Sequence, residues 1–280
     1  MGHAGRDLWH KQCRTRAQAQ APMTSTLFGY REHSPSPPLR GLVESYWSFS
    51  GSYDGVKRVL PDGCADLLLD RKTGKILVVG TMTRALLYDG RGEQDLVAVR
   101  FRPGGAGALL GLSMSACVDI SAPWDDRAAD ELLERAGEAT PSELRRELDE
   151  LLLGRLAAVS TAAHRRAALA QRCLDSPDIA VSALAEQLGV SRQHLGREVL
   201  SATGVRPKVL ARIGRLCRAT KAIADGHRPS VDTALDAGFC DQSHMVNEFR
   251  ALAGVTPGGY ARGLSGPASV EGLGTSAATS

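Results

Sequence analysis

Residues Gly238–Arg262 read GFCDQSHMVNEFRALAGVTPGGYAR, and Leu184–Pro207 read LAEQLGVSRQHLGREVLSATGVRP. A shift of fifty residues lays one stretch over the other. Val181 falls on Val231, His194 on His244, Glu198 on Glu248, Gly204 on Gly254, Val205 on Val255, Pro207 on Pro257 and Ala211-Arg212 on Ala261-Arg262. Core positions agree in character as well, with Leu195 over Met245 and Val199 over Phe249. Self-similarity at a fixed period marks a duplicated structural unit.

Each unit reads as helix, tight turn, helix. In the first, Val181, Leu184, Ala185 and Leu188 recur at i, i+3, i+4 and i+7, the stripe of an amphipathic helix. Gly189-Val190 turns the chain, and Ser191 caps a second helix to about Thr203, where Gly204 stops it and Pro207 starts the next. In the second, Ser230 caps Val231–Ala237, Gly238-Phe239-Cys240 turns, and Asp241 caps a helix from Gln242 to about Ala253. A short turn between two helices sets the second where it can project into a DNA major groove. At about 100° per residue, Leu195, Val199 and Ala202 face inward and Gln193 and Arg197 outward; in the second unit Met245, Phe249 and Leu252 oppose Ser243, Asn247 and Arg250. Between the units, Val209, Ile213, Leu216, Thr220 and Ile223 trace one face of a helix, and Lys208, Arg212, Arg215, Arg218 and Lys221 carry charge elsewhere. A helix of ~18 residues spans ~27 Å, enough with its end packing to hold two recognition helices about one DNA turn apart.

These residues resemble the tandem helix-turn-helix region of AraC/XylS-family transcriptional regulators, over about residues 164–263. The resemblance implies a sequence-specific transcription factor, typically an activator, whose partners are double-stranded DNA and, where it activates, RNA polymerase. By that resemblance Gln193, Arg197, Gln242, Ser243, His244 and Asn247 take base-facing positions, and Arg192, Arg206, Lys208 and Arg250 take phosphate positions. Three departures stand out: Ala180 where the family usually has a capping side chain, His244-Met245 in place of Tyr-Phe, and Ala261-Arg262 in place of Tyr-Arg.

Toward the N-terminus the pattern changes to strands. Leu42–Phe49, Val56–Leu60, Ala65–Leu69, Lys75–Val79 and Leu96–Arg102 are rich in β-branched, aromatic and other apolar residues, and Pro61-Asp62-Gly63 is a turn. Ala106–Leu110 reads as a short helix. ESYWSF, LPDGCADLLLD and AVRFRPGGAGALLG look like the N-terminal domain of a subset of AraC-like regulators, which implies a sensor or dimerisation role: a small-molecule effector, a homodimer, or both. Trp47, Asp62, Arg100 and Arg102 are the candidate effector contacts, although Arg100 and Arg102 suit a solvated strand face better than a ligand. Between Trp124 and Leu156, Leu132, Leu133 and Ala136, then Leu144, Leu148, Leu151 and Leu152, fall at helical spacing. Thr140-Pro141-Ser142-Glu143 has the form of a capping box with Pro at the first helical position. This acidic helical pair is expected to link two domains or to offer a dimerisation surface.

The expected fold class is α+β: an antiparallel β-rich, barrel-like domain over 24–125, a helical connector over 126–160, and an all-α domain over 161–263 with two helix-turn-helix units joined by a linker helix. A disordered leader (1–23) and a Gly/Ser/Ala/Thr tail (264–280) flank them, with Met23 an alternative translation start.

The 280 residues carry 34 Lys+Arg against 31 Asp+Glu, a net +3. The total conceals a basic 161–263 segment of +5 beside an acidic 121–160 segment of −5. Arginine supplies 28 of the 34 basic residues, a composition that also follows from a GC-rich genome. No apolar run approaches the ~18–20 residues that span a bilayer, and no apolar segment follows the basic N-terminus. A membrane protein is excluded, and a cytoplasmic protein with reduced thiols is expected. The six cysteines show no zinc-ligand spacing. Cys64 reads as a buried structural thiol, since no His or Lys of fixed spacing activates it. His194 and His244 repeat with the units, which argues for packing or DNA contact over metal binding. Arg102–Gly107 resembles a phosphate loop but lacks the following Lys-Ser/Thr, so no cofactor is expected. The competing classes are an enzyme, including an Ada-type alkyl-repair regulator needing four N-terminal cysteines where only Cys13, Cys64 and Cys117 stand, and a helix-turn-helix fold used for protein contacts.

Overall fold

The computed structural model describes residues 29–52, 55–89 and 91–265. The expected leader lies outside these residues, as does the expected tail from residue 266 on.

Eight strands form in the N-terminal part: β1 (Arg31–His33), β2 (Val43–Ser52), β3 (Val56–Val59), β4 (Ala65–Asp70), β5 (Lys75–Val79), β6 (Leu86–Asp89), β7 (Glu93–Phe101) and β8 (Ser121–Pro123). Six make an antiparallel sheet in the order β1-β2-β7-β4-β5-β8, and β3 pairs with β6 in a separate ribbon. The strand period of two sets the register. Tyr46 pairs with Val99 and Leu67 with Val99, so the buried residues Tyr46, Leu67, Leu69, Val97 and Val99 share one face. Trp47, Asp66 and Arg100 share the other.

The first face is covered by helices. After α1 (Gly105–Leu110), α2 (Arg127–Ala136) and α3 (Pro141–Leu156) bury Leu132, Leu144, Leu148 and Leu152 in the same core as Leu67, Val97 and Val99. The capping box expected at Thr140 forms: the Glu143 N–H donates to Thr140 Oγ1, and the Thr140 N–H donates to Glu143 Oε2 at 2.7 Å. The apolar stripes of the acidic helices are therefore occupied inside the chain. The sheet has an apolar face to cover, and these helices are the nearest cover in sequence.

Seven helices follow: α4 (Thr161–Asp175), α5 (Val181–Gln187), α6 (Arg192–Thr203), α7 (Pro207–Ala224), α8 (Val231–Asp236), α9 (Gln242–Ala253) and α10 (Pro257–Ser265). Leu169, Leu184, Leu195, Val199 and Leu210 form the core of the first repeat, and Leu216, Ala234, Met245, Phe249 and Leu252 that of the second. The observed class is the expected one, an antiparallel β region followed by a helical region with two helix-turn-helix units. The sheet is open between its edge strands β1 and β8, so it forms no closed barrel. No helix among the described residues is long and apolar enough to cross a membrane.

Candidate nucleic-acid interface

The two repeats fold alike to the level of single residues. Burial over 191–200 and over 241–250 follows the same pattern position by position. The Ser191 hydroxyl accepts from the His194 N–H at 3.1 Å, and Asp241 Oδ1 accepts from the His244 N–H at 2.7 Å, each satisfying a donor at a helix start. Gly204 and Gly254 end the two recognition helices α6 and α9 at φ +74° and +68°, the left-handed region that favours glycine. Ala180 offers α5 no side-chain cap, whereas Ser230 caps α8. The repeat also extends one helix further back than the sequence shift shows. Glu198 of α6 pairs with Arg166 of α4 at 3.3 Å, and Glu248 of α9 with Arg212 of α7 at 2.7 Å. Each recognition helix is thus held by an arginine from the helix before its unit.

In the first unit the outward residues converge. Arg192, Gln193 and Arg197 of α6 line an open groove of about 1040 Å³ with Arg206 and Lys208 at the start of α7. Arg215 joins them from two turns further along α7, and no described carboxylate lines the groove. Setting aside Arg215, which is committed within the chain, four cations and one amide on a concave surface are the donors that phosphate neutralisation and base-edge hydrogen bonding would need.

In the second unit Gln242, Ser243, Asn247 and Arg250 are exposed along α9. Gln242 Nε2 donates to the Pro229 carbonyl at 3.1 Å, which fixes the amide at the helix start. His244 is half-buried: its Nδ1 accepts from the Cys240 N–H at 3.2 Å, and its ring meets the Phe239 ring edge-on with centroids 5.4 Å apart. Only Nε2 of this residue is left for an outside partner.

The linker helix α7 uses all three of its arginines internally. Arg212 holds Glu248, Arg215 Nη1 donates to the Pro177 carbonyl at 2.6 Å, and Arg218 reaches Asp178 at 3.0 Å and the Asp175 carbonyl at 2.8 Å. A Cβ on Gly214 would sit 2.2 Å from the Leu174 carbonyl oxygen, so α7 packs on the end of α4 only because that position is bare. The loop after α4 is thereby clamped to α7, which ties the first unit to the helix that carries the second.

The N-terminal part touches the C-terminal end of both recognition helices. Arg58 Nη1 donates to the Ala253 carbonyl at 2.7 Å, and the Ala85 N–H to the Leu252 carbonyl at 2.6 Å, both in the last turn of α9. Leu60 is buried in the core of the second unit. At the first unit, Gly204 passes so close to Met114 that a Cβ there would lie 2.5 Å from the Met114 carbonyl oxygen.

Three of the four effector candidates come together on the sheet face away from α3. Trp47 Nε1 donates to Asp66 Oδ1 at 3.2 Å, and Arg100 Nε lies 3.4 Å from Asp66 and 4.0 Å from Asp62. Burial by itself would lower the Arg100 pKa, but Asp66 and Asp62 outweigh it and hold the guanidinium charged; burial raises Asp66 despite that neighbour. Arg102 is separate, bound to Glu44 at 2.9 Å. Neither arginine stands on a solvated face. Sequence spacing placed them correctly opposite Val97, Val99 and Phe101, but it could not show that this second face is also covered. Cys64 is buried, and its N–H donates to Asp62 Oδ1 at 2.9 Å.

The comparisons divide the chain in the same way. Residues 184–263 match a helix-turn-helix domain family, and residues 31–123 match a domain of unknown function, DUF6597. No curated protein matches the chain. Among solved structures, ToxT from Vibrio cholerae O395 superposes with a TM-score of 0.39 at 15% identity, over 85% of this chain and 98% of that one. Unsaturated fatty acid bound wild-type ToxT from Vibrio cholerae strain SCE256 gives 0.39 at 13% identity, over 86% and 96%. With its repeat, its capped recognition helices and this family match, residues 184–263 are an AraC-type helix-turn-helix domain, and the chain is a DNA-binding transcription regulator that carries this domain behind a DUF6597 domain.

Proposed function

We propose that the protein binds a specific DNA sequence by placing α6 and α9 in successive major grooves on one side of the duplex, and that its N-terminal part controls this binding. The observation that carries the proposal is the acid-free groove that joins Arg192, Gln193 and Arg197 to Arg206 and Lys208. Gln193 and Arg197, with Gln242, Ser243, His244 and Asn247, read bases; Arg192, Arg206, Lys208 and Arg250 hold phosphates. Arginine suits guanine, and glutamine or asparagine suits adenine. On this reading 161–263 is the DNA-binding domain, 24–125 the sensor or dimerisation domain, and 126–160 the connector that completes the sensor's core. The protein works in the cytoplasm by binding rather than by catalysis, recruits RNA polymerase where it activates, and pairs as a homodimer where operators are duplicated. An effector at Trp47, Asp62, Arg100 and Arg102 would exchange with the carboxylate partners these residues have within the chain.

Selection of bound sequences from random DNA, followed by footprinting and salt titration, tests the proposal. Two protected segments about one helical turn apart are expected. Replacing Arg192, Arg206 or Lys208 by alanine should weaken binding uniformly across sequences and lower the salt slope by about one for each residue. Absence of any DNA binding at low salt would favour a helix-turn-helix used for protein contacts.

Control from the N-terminal part is supported by the contacts at the recognition-helix ends. Arg58→Ala removes the donor from the Ala253 carbonyl. Amide exchange in the last turn of α9 should then quicken by about tenfold, the loss of one charge-assisted hydrogen bond, while the first turn of α6 keeps its protection. Equal rates in both proteins would show that Arg58 does not steady α9.

A further inference from the structure

On the sheet face turned toward α3, opposite Arg100, a cavity of about 280 Å³ opens between β1, β2 and the first turn of α3. Arg31 and His33 reach it from β1, Ser48 from β2 and Arg145 from α3, with Val97 and Pro141 as apolar wall. None of the residues lining it is a carboxylate. Neither Arg31 nor Arg145 makes an ion pair with a described carboxylate, and Arg145 Nε is buried without a hydrogen-bond partner. The neighbouring acids are engaged elsewhere. Asp149 accepts from the Ser36 N–H at 3.1 Å and from the Ser36 hydroxyl, and it lies against the Tyr46 hydroxyl. Glu143 is turned back on Thr140, and Glu32 pairs across the strands with Trp47 on the other face. Burial, then Arg145, then Arg31 hold the His33 pKa below its ordinary value, while Glu32 opposes them weakly. The imidazole thus lies in a field that is positive from two sides.

Guanidinium groups brought around one small cavity repel each other and leave buried donors unsatisfied, both of which an anion between them removes. We infer that this cavity binds a small organic oxyanion, with its carboxylate or phosphate head held by Arg31 and Arg145 and its apolar body against Val97 and Pro141. The volume is close to the lower end of small-molecule sites, about 300 Å³, so the ligand is compact. The site is separate from the Arg100 cluster, which has its carboxylates within the chain. That its occupancy alters DNA binding rests on the regulatory reading above; the binding itself does not.

The test is calorimetric titration of the full chain, without DNA, with phenylacetate, phenyl phosphate, inorganic phosphate and benzyl alcohol. Phenylacetate or phenyl phosphate is expected to bind saturably at one site, and whichever is the tighter identifies the head group. Inorganic phosphate and benzyl alcohol should each bind at least about tenfold more weakly, since one lacks the body and the other the charge. Arg145→Gln and Arg31→Gln should each weaken the organic anion by about tenfold or more, and Arg146→Gln, on the exposed side of α3, should leave it unchanged. Arg31 is exposed on an edge strand, so its variant carries the test if the Arg145 variant loses its thermal transition. Three results would each overturn the inference: no saturation by either organic anion below about 10 mM, well weaker than a ~1 mM site; undiminished binding in the Arg31 variant; or inorganic phosphate as tight as its phenyl ester. Loss of regulation with intact anion binding would overturn only the regulatory reading.

Discussion

Replacing Arg100 by methionine is expected to destabilise the N-terminal part by about 3–5 kcal/mol, because it leaves a buried carboxylate pair without its cation. Asp62 is 7% exposed, and Arg100 Nε lies 3.4 Å from Asp66 and 4.0 Å from Asp62. The two acids would then face each other with the Trp47 indole and the Cys64 N–H as hydrogen-bond donors, and with Lys57, which lies within the field of Arg100, as a nearby charge. Each carboxylate would be pushed toward its neutral form. Urea unfolding followed by Trp fluorescence measures the loss. The triple variant Arg100→Met, Asp62→Asn, Asp66→Asn should recover most of it, since asparagine keeps the acceptor for the Cys64 N–H while the charge is removed. A loss below about 1 kcal/mol for the single variant would mean that water reaches the cluster and screens it as it screens surface pairs.

Arg197→Ala should cost about 1–3 kcal/mol of specific DNA affinity and relax base preference in one half of the operator only. Arg197 is exposed on α6 inside the cationic groove, one turn along the outer face from Gln193. Asn247→Ala, at the matching place on α9, should relax the other half by a similar amount. Sequence selection with each variant separates this outcome from uniform weakening across unrelated sequences, which would make Arg197 a phosphate contact. Because Glu198 and Glu248 are fixed by Arg166 and Arg212, neither substitution should disturb the way the recognition helices are seated.

The side-chain caps, glycine stops and apolar stripes of the repeat are readable because each is set by residues within one or two helical turns. The strands β2, β3, β4, β5 and β7 were readable for a similar reason, as apolar runs bounded by turn residues. The strands missed were β1, β6 and β8. β1 and β8 have only three residues each, and β8 ends in a proline, so neither carries a run long enough to show a period. β6 exposes Leu86, Leu87 and Tyr88 on the ribbon, so its side chains show no inside and outside.

Charge was where local reading fell short. The arginines of the linker helix look like a basic face in sequence, yet Arg212, Arg215 and Arg218 reach Glu248, Pro177 and Asp178. Arg100 and Arg102 look solvated or free for a ligand, and both have acidic partners in the chain. Nothing local in the sequence links Arg31 and Arg145, the unpaired cations around the small cavity, since more than a hundred residues separate them.

The sequence by itself determined the duplicated helix-turn-helix, its caps and stops, the outward residues of each recognition helix and the β character of the N-terminal half, because periodicity, capping and turn chemistry act over a few residues. Only the tertiary structure decided which cations are spent inside the protein and which face a groove. It also decided that the acidic helices cover the sheet and that the N-terminal part touches the ends of both recognition helices. Burial and ion pairing depend on what packs against a side chain, and in this fold those neighbours come from distant stretches of the chain.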